Sequence, residues 1–159
     1  MSTNTISLKN YNQASRIICL ALIIGQLFFL GVAVYLVQFS GINFEDTRLN
    51  DVFIYVVPFL ALSSISASFV VFKGKMLRVK EITDIPTKLT DYRAAQIIRW
   101  ALYEGPSFFA IIAYMLTGQL FYIGIVAIVI VLFIMSIPSK ARFEIDLELS
   151  WEEKSQLAE

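Results

Sequence analysis

The chain alternates between four long apolar runs and short polar connections. The apolar runs cover residues 17–37, 52–72, 95–116 and 120–137. Each run is close to the length of about 20 residues that a helix needs to cross the hydrocarbon core of a bilayer. We therefore predict an all-α membrane protein in which residues 1–138 form an antiparallel bundle of four transmembrane helices.

The last segment, residues 139–159, is predicted to be a cytoplasmic amphipathic tail. Apolar and charged residues alternate over residues 143–149, which taken alone favours a strand. A single strand would lack a partner, whereas Pro138 suits the first position of a helix. We therefore predict a short surface helix here, and a capping box at residues 150–153 predicts the start of another.

Lysine and arginine are unevenly distributed among the connections. The N-terminal segment, the connection between the second and third runs, and the segment after Pro138 hold nearly all of them. The first connection has only Arg48, and the third has none. Because cytoplasmic loops are enriched in these residues, we predict a multi-pass protein of the bacterial inner membrane with both termini in the cytoplasm. A binding site for anionic lipid is the other interpretation of the basic second connection.

Composition agrees with the membrane interpretation and excludes several function classes. Hydrophobic residues make up 57% of the chain, more than the roughly 45–50% of a soluble domain. Histidine is absent, and Cys19 is the one cysteine, so the commonest metal ligand, the commonest acid–base group and an intramolecular disulfide are all excluded. The formal net charge is zero. We expect no metal, no cofactor and no nucleic-acid partner.

Three polar side chains are predicted to lie at one depth. Gln26, Ser63 and Glu104 each lie nine positions from the cytoplasmic end of their own run, which is roughly 13 Å along a helix. An acid at that depth costs on the order of 3 kcal/mol. We therefore expect a neutral Glu104 that donates to the Gln26 carbonyl oxygen and accepts from a serine hydroxyl or the Gln26 amide. This layer is either a helix–helix contact or an ion or proton site.

Ser64, Ser107 and Arg99 complete the candidate polar site. Arg99 ranks second to Gln26 as a partner for Glu104, because residues five apart on a helix are rotated by about 140° from each other. It also lies about 7 Å nearer the cytoplasm, within reach of the headgroups.

Two prolines are predicted to kink their helices. Pro58 interrupts the second run, and Gly105-Pro106 directly follows the acid in the third. Proline at 106 removes the N–H that the carbonyl of Leu102 would otherwise accept from. In lipid, that carbonyl must find a hydroxyl, an amide or a water molecule.

The sequence around Glu104 resembles the ion-carrying helix of rotary ATPase proteolipids over residues 101–114, in the order small–Leu–Tyr–Glu–Gly. The resemblance implies that Glu104 binds H⁺ or Na⁺ with Gln26 as a co-ligand, and that Ser107 and Tyr103 supply further oxygens. The glycine-repeat first helix of that family is missing, and the proline after Gly105 departs from its pattern.

Taken whole, the chain resembles a group of uncharacterised small four-span bacterial inner-membrane proteins. In that group an arginine at the start of span three precedes Leu-x-Glu-Gly-Pro, and a Pro-Ser/Thr-Lys segment follows span four. Arg99, Leu102, the residues 104–106 and the residues 138–140 match this pattern. The resemblance implies a fold and a location but no activity.

The preferred functional hypothesis is a structural or accessory membrane subunit that works through helix contacts, either as a homo-oligomer or in a larger membrane complex. The alternative is a small proton- or cation-conducting or transporter-like element with Glu104 as the protonatable site. A membrane-embedded enzyme ranks last, because one acid and one arginine are little equipment for catalysis.

Overall fold

The computed structural model describes residues 8–40 and 47–148, and this part of the chain is all-helical, as predicted. The five helices are α1 (Leu8–Phe39), α2 (Thr47–Lys80), α3 (Ile85–Thr117), α4 (Phe121–Met135) and α5 (Lys140–Asp146). The predicted capping box at 150–153 lies outside the described residues.

Two of the helices are long and apolar enough to cross a membrane. These are the stretches Gln13–Phe39 of α1 and Arg48–Lys80 of α2, and α4 is a shorter apolar helix. The first three helices all extend beyond the apolar runs that predicted them, by two turns at the end of α2 and nearly three at the start of α3.

Helix α3 is central, because it packs against α1, α2 and α4. Two hydrogen bonds join α1 to α3: Ser15 bonds to Arg93 near the start of both helices, and Gln26 bonds to Ser107 further along both. The two helices are therefore parallel. Ring contacts between α2 and α3 run in the opposite order, and so do the contacts between α4 and α3. Helices α2 and α4 are therefore antiparallel to α3.

The turns at both ends of α3 have clear local causes. At its start, the Asp84 carboxylate accepts from the backbone N–H of Thr87 at 3.0 Å and also from its hydroxyl. The hydrogen bonds from the side chain and the backbone of Thr87 lower the pKa of Asp84. At its end, Gly118 adopts φ 68°, a left-handed conformation that suits glycine, and its N–H donates to the Tyr114 carbonyl.

The short helix α5 is packed into the molecule. Phe143 and Leu147 are almost fully buried in a cluster with side chains from the end of α2 and the first turns of α3. The Tyr92 hydroxyl donates to the Asp146 carboxylate at 2.7 Å, while Ile145 on the other face is 74% exposed. Within the predicted tail the structure thus has a helix at Lys140–Asp146, and its apolar face lies against the ends of α2 and α3.

Candidate functional site

The backbone hydrogen bond that Pro106 removes from α3 is replaced by a hydrogen bond from the neighbouring helix α2. Helix α3 continues through this proline, and the Ser64 hydroxyl of α2 donates to the freed Leu102 carbonyl at 2.6 Å. This is one of the donors that the sequence led us to expect. Ser68, one turn further along α2, is buried on the same inward face. Pro58 also lies inside an unbroken helix.

A second polar contact joins α1 to α3. The Ser107 hydroxyl donates to the Gln26 side-chain carbonyl at 2.9 Å, and both residues are fully buried. The Gln26 amide nitrogen is also buried and has no partner within the described part of the chain. An unsatisfied buried donor costs about 1–3 kcal/mol, so this amide is available to a further acceptor.

The predicted hydrogen bond from Glu104 to Gln26 is not formed. Among the described residues, neither Gln26 nor Arg99 contacts the Glu104 carboxylate through a hydrogen bond or an ion pair. The geometric reason is that Ser107, one turn beyond Glu104, faces α1 more directly and reaches Gln26 first. Glu104 is left half-buried at the edge of the contact between α1 and α3.

Glu104 lies instead in the middle of an outward-facing strip of α3. The strip consists of residues three or four apart that are exposed or half-buried: Ile97, Ala101, Glu104, Gly105, Phe108 and Ile112. On one side of it, Phe108 packs against Phe29 of α1 at 5.3 Å between ring centroids. On the other side, Phe109 packs against Phe53 of α2 at 5.7 Å. We call these six residues the outer strip; its middle is a carboxyl group between two of the smallest residues.

The polar residues do not form the single layer that was predicted. Ser63 is exposed, and its hydroxyl donates to the Leu60 carbonyl of its own helix. The two hydrogen bonds from neighbouring helices meet α3 at Leu102 and Ser107, about 7 Å apart along the helix. One of them joins α2 to α3 and the other joins α1 to α3, and Glu104 lies between them along the axis of α3.

Arg99 lies in an aromatic cage. Its guanidinium carbon is 4.8 Å from the ring centroid of Phe72, 5.1 Å from that of Phe69 and 5.7 Å from that of Tyr103. Its Nε–H donates to the Tyr103 hydroxyl at 2.9 Å, and the residue is 8% exposed. Ring faces attract a cation, so the cage offsets part of the cost of burying this charge without a carboxylate.

Sequence reasoning missed this cage and the polar contacts around it. A signal for the cage was present in the sequence. Phe69 lies three positions from the cytoplasmic end of the second run, and Arg99 lies four positions from the cytoplasmic end of the third run, so the two residues have nearly the same predicted depth. The spacing of four between Arg99 and Tyr103 also indicated a shared helix face. The buried hydrogen bond from the Trp100 indole to the Ser136 hydroxyl, at 3.0 Å, had no comparable signal.

Comparisons with known proteins add no assignment. No family model matches the chain, and no match is found among curated proteins or among solved structures.

No group of three or more Cys, Asp or Glu side chains in the described ranges is placed to hold a metal ion. Near the middle of α3, the Glu104 carboxyl and the Gln26 amide nitrogen have no hydrogen-bond partner among the described residues. The carboxyl group can accept or donate a hydrogen bond or hold a proton or a cation, whereas the amide N–H can only donate.

Proposed function

We propose that this chain is a non-enzymatic, multi-pass protein of the bacterial inner membrane. Four spans, with both termini in the cytoplasm, account for the two long apolar helices, the shorter apolar α4 and the distribution of basic residues. Helix α3 is then the third span, shielded on three sides by the other helices. Its function is structural or accessory, exerted through helix contacts in the membrane.

The observation that carries this proposal is the unpaired Glu104 beside small residues on an exposed face. Ala101 and Gly105 allow another helix to approach closely, as small residues do at helix contacts in membranes. A carboxyl group facing lipid at this depth costs on the order of 3 kcal/mol. Contact with a polar group on a second helix removes part of that cost, so the outer strip favours association.

A second copy of the chain is the partner that fits best. A two-fold axis along the membrane normal keeps every residue at the same depth, so Glu104 of one copy meets Glu104 of the other. Two neutral carboxylic acids are self-complementary, since each can donate one hydrogen bond and accept one. The homodimer therefore satisfies both acids without any group from outside the chain.

Co-purification of two differently tagged copies in mild detergent tests this proposal. The wild-type chain should bring down its second copy. Glu104→Gln should also do so, because a carboxamide has both a donor and an acceptor, whereas Glu104→Leu should weaken association by several-fold. Ser63→Leu is the matched control, since Ser63 is exposed on α2 and lies off the outer strip. A wild-type chain that stays monomeric, or an unaffected Glu104→Leu, would contradict the homodimer.

A proton- or cation-conducting function is the second candidate. It is favoured by the half-buried Glu104 carboxyl together with the buried Gln26 amide N–H in α1, which can donate to the carboxylate once its proton or cation has left. In vesicles of purified protein, such an element should show pH-dependent ion flux that Glu104→Gln abolishes. The two candidates separate on this variant, because the homodimer survives it and conduction does not.

A further inference from the structure

A polar groove lies between the last turns of α2 and the first turns of α3, and it ends one turn before the outer strip begins. It has a volume of about 450 Å³. Its walls are formed by Val71, Gly74, Lys75, Arg78, Val79, Asp91 and Ala94. The α2 residues among them recur at intervals of three or four, so they share one helix face. Gly74 leaves this face open, because nothing lies within 4 Å of where a Cβ would be.

The charges in this groove are not used by the fold. Lys75 and Arg78 contribute two cations and Asp91 one anion. None of these three side chains has a hydrogen bond or an ion pair with any residue in the described ranges, although Lys80 nearby is paired with Glu148 at 2.7 Å. The groove therefore has a net positive charge and several free donors.

The chemistry of the walls specifies the ligand. A phosphodiester is the natural partner of an arginine and a lysine, because the guanidinium binds its oxygens through two parallel hydrogen bonds. Val71 and Ala94 make one side of the groove apolar, which suits the glycerol and the first carbons of acyl chains. Asp91 accepts hydrogen bonds from hydroxyl groups, so it suits a headgroup that carries free hydroxyls.

We propose that this groove binds the headgroup of an anionic phospholipid that carries free hydroxyls, such as phosphatidylglycerol. The inference rests on the membrane location proposed above, in which Val71 lies at the cytoplasmic edge of the second span. It goes beyond that function, because the groove and the outer strip share no residue. Arg78 and Lys75 hold the phosphate, and Asp91 accepts hydrogen bonds from the headgroup hydroxyls.

Native mass spectrometry of the full chain in mild detergent, titrated with single lipids, tests the site. Wild-type protein should bind phosphatidylglycerol more tightly than phosphatidylcholine, whose headgroup has no net charge and no hydroxyl. Arg78→Ala should weaken phosphatidylglycerol binding about tenfold, as expected for the loss of hydrogen bonds to a charged group. Lys73→Ala removes the same charge from an exposed position outside the groove and should leave binding within twofold of wild type.

Equal losses in Arg78→Ala and Lys73→Ala would overturn the proposal, because binding would then reflect surface charge alone. Soluble glycerol 3-phosphate that binds as tightly as the lipid would overturn the assignment to a lipid. Extraction of membranes with alkaline carbonate shows whether the lipid-binding groove or the proposed membrane location is at fault. If the wild-type chain is extracted from membranes, the location itself is wrong; if it is retained while Arg78→Ala binds normally, only the groove is wrong.

Discussion

The Ser64 hydroxyl donates a hydrogen bond of 2.6 Å to the Leu102 carbonyl and so links α2 to α3. In an unbroken helix this carbonyl would accept from the N–H of residue 106, which is a proline and has none. A side chain of one helix thus replaces a backbone donor that the other helix lacks. The serine therefore compensates for the backbone hydrogen bond that the proline removes.

Replacing Ser64 by alanine should lower the free energy of unfolding by about 1 kcal/mol, because the Leu102 carbonyl loses its donor. Titration of detergent-solubilised protein with SDS measures the change. Ser63→Ala is the control and should have no measurable effect, since that hydroxyl is exposed and bonds within its own helix. In a Pro106→Ala background, where the backbone N–H is restored, Ser64→Ala should cost much less. An equal cost in both backgrounds would disprove the link.

Replacing Arg99 by lysine should destabilise the protein by about 1 kcal/mol although the charge is kept. Lysine lacks the Nε–H that Tyr103 accepts from and the planar group that stacks on Phe69 and Phe72. Arg78→Lys, an exposed arginine with no ring contact among the described residues, serves as the control in the same unfolding titration. If the two variants lose the same stability, the aromatic cage contributes nothing.

The Asp84 cap should make the start of α3 sensitive to acid. Its pKa in the folded protein is lowered by hydrogen bonds from Thr87, so its contribution to stability is present above the unfolded pKa of about 3.9 and is lost as the pH falls through the folded value. Asp84→Ala should therefore lower the melting temperature at neutral pH, and the difference from wild type should shrink at pH 3. Asp84→Asn keeps a capping side chain and should behave like wild type at neutral pH. A difference that stays constant down to pH 3 would contradict this role of the carboxylate.

Helix α5 should detach when its buried anchor is removed. Phe143 is 2% exposed and packs edge-on against Tyr92 at 5.1 Å between ring centroids. Phe143→Ala should increase backbone hydrogen exchange over residues 140–147 while exchange in the middle of α3 stays slow. Ile145→Ala, on the exposed face of the same helix, should change neither. Unchanged exchange in Phe143→Ala would show that α5 is held by polar contacts alone.

The sequence was informative about positions along the helix axes and much less about rotation around them. The lengths of the apolar runs predicted where the helices lie, and Pro106 predicted which carbonyl is left free. Counting from the run ends gave Ser63 and Ser64 nearly the same depth, yet consecutive residues are rotated by 100°, so one is exposed and the other bonds to α3. The choice between Glu104 and Ser107 as partner of Gln26 depends on the same rotation. The rotation of each helix about its axis depends on packing among several helices, so it cannot be predicted from one apolar run.

Disulfide cross-linking in native membranes tests the central claim, that the outer strip of α3 contacts a second copy at Glu104. The experiment uses single-cysteine chains in a Cys19→Ala background. We predict that Ala101→Cys forms a covalent dimer on mild oxidation, because symmetry-related residues beside the axis come within the 7 Å between Cα atoms that a disulfide requires. Phe59→Cys, equally accessible but on the far face of α2, should remain monomeric. No dimer at position 101, or equal dimer at both positions, would contradict the account.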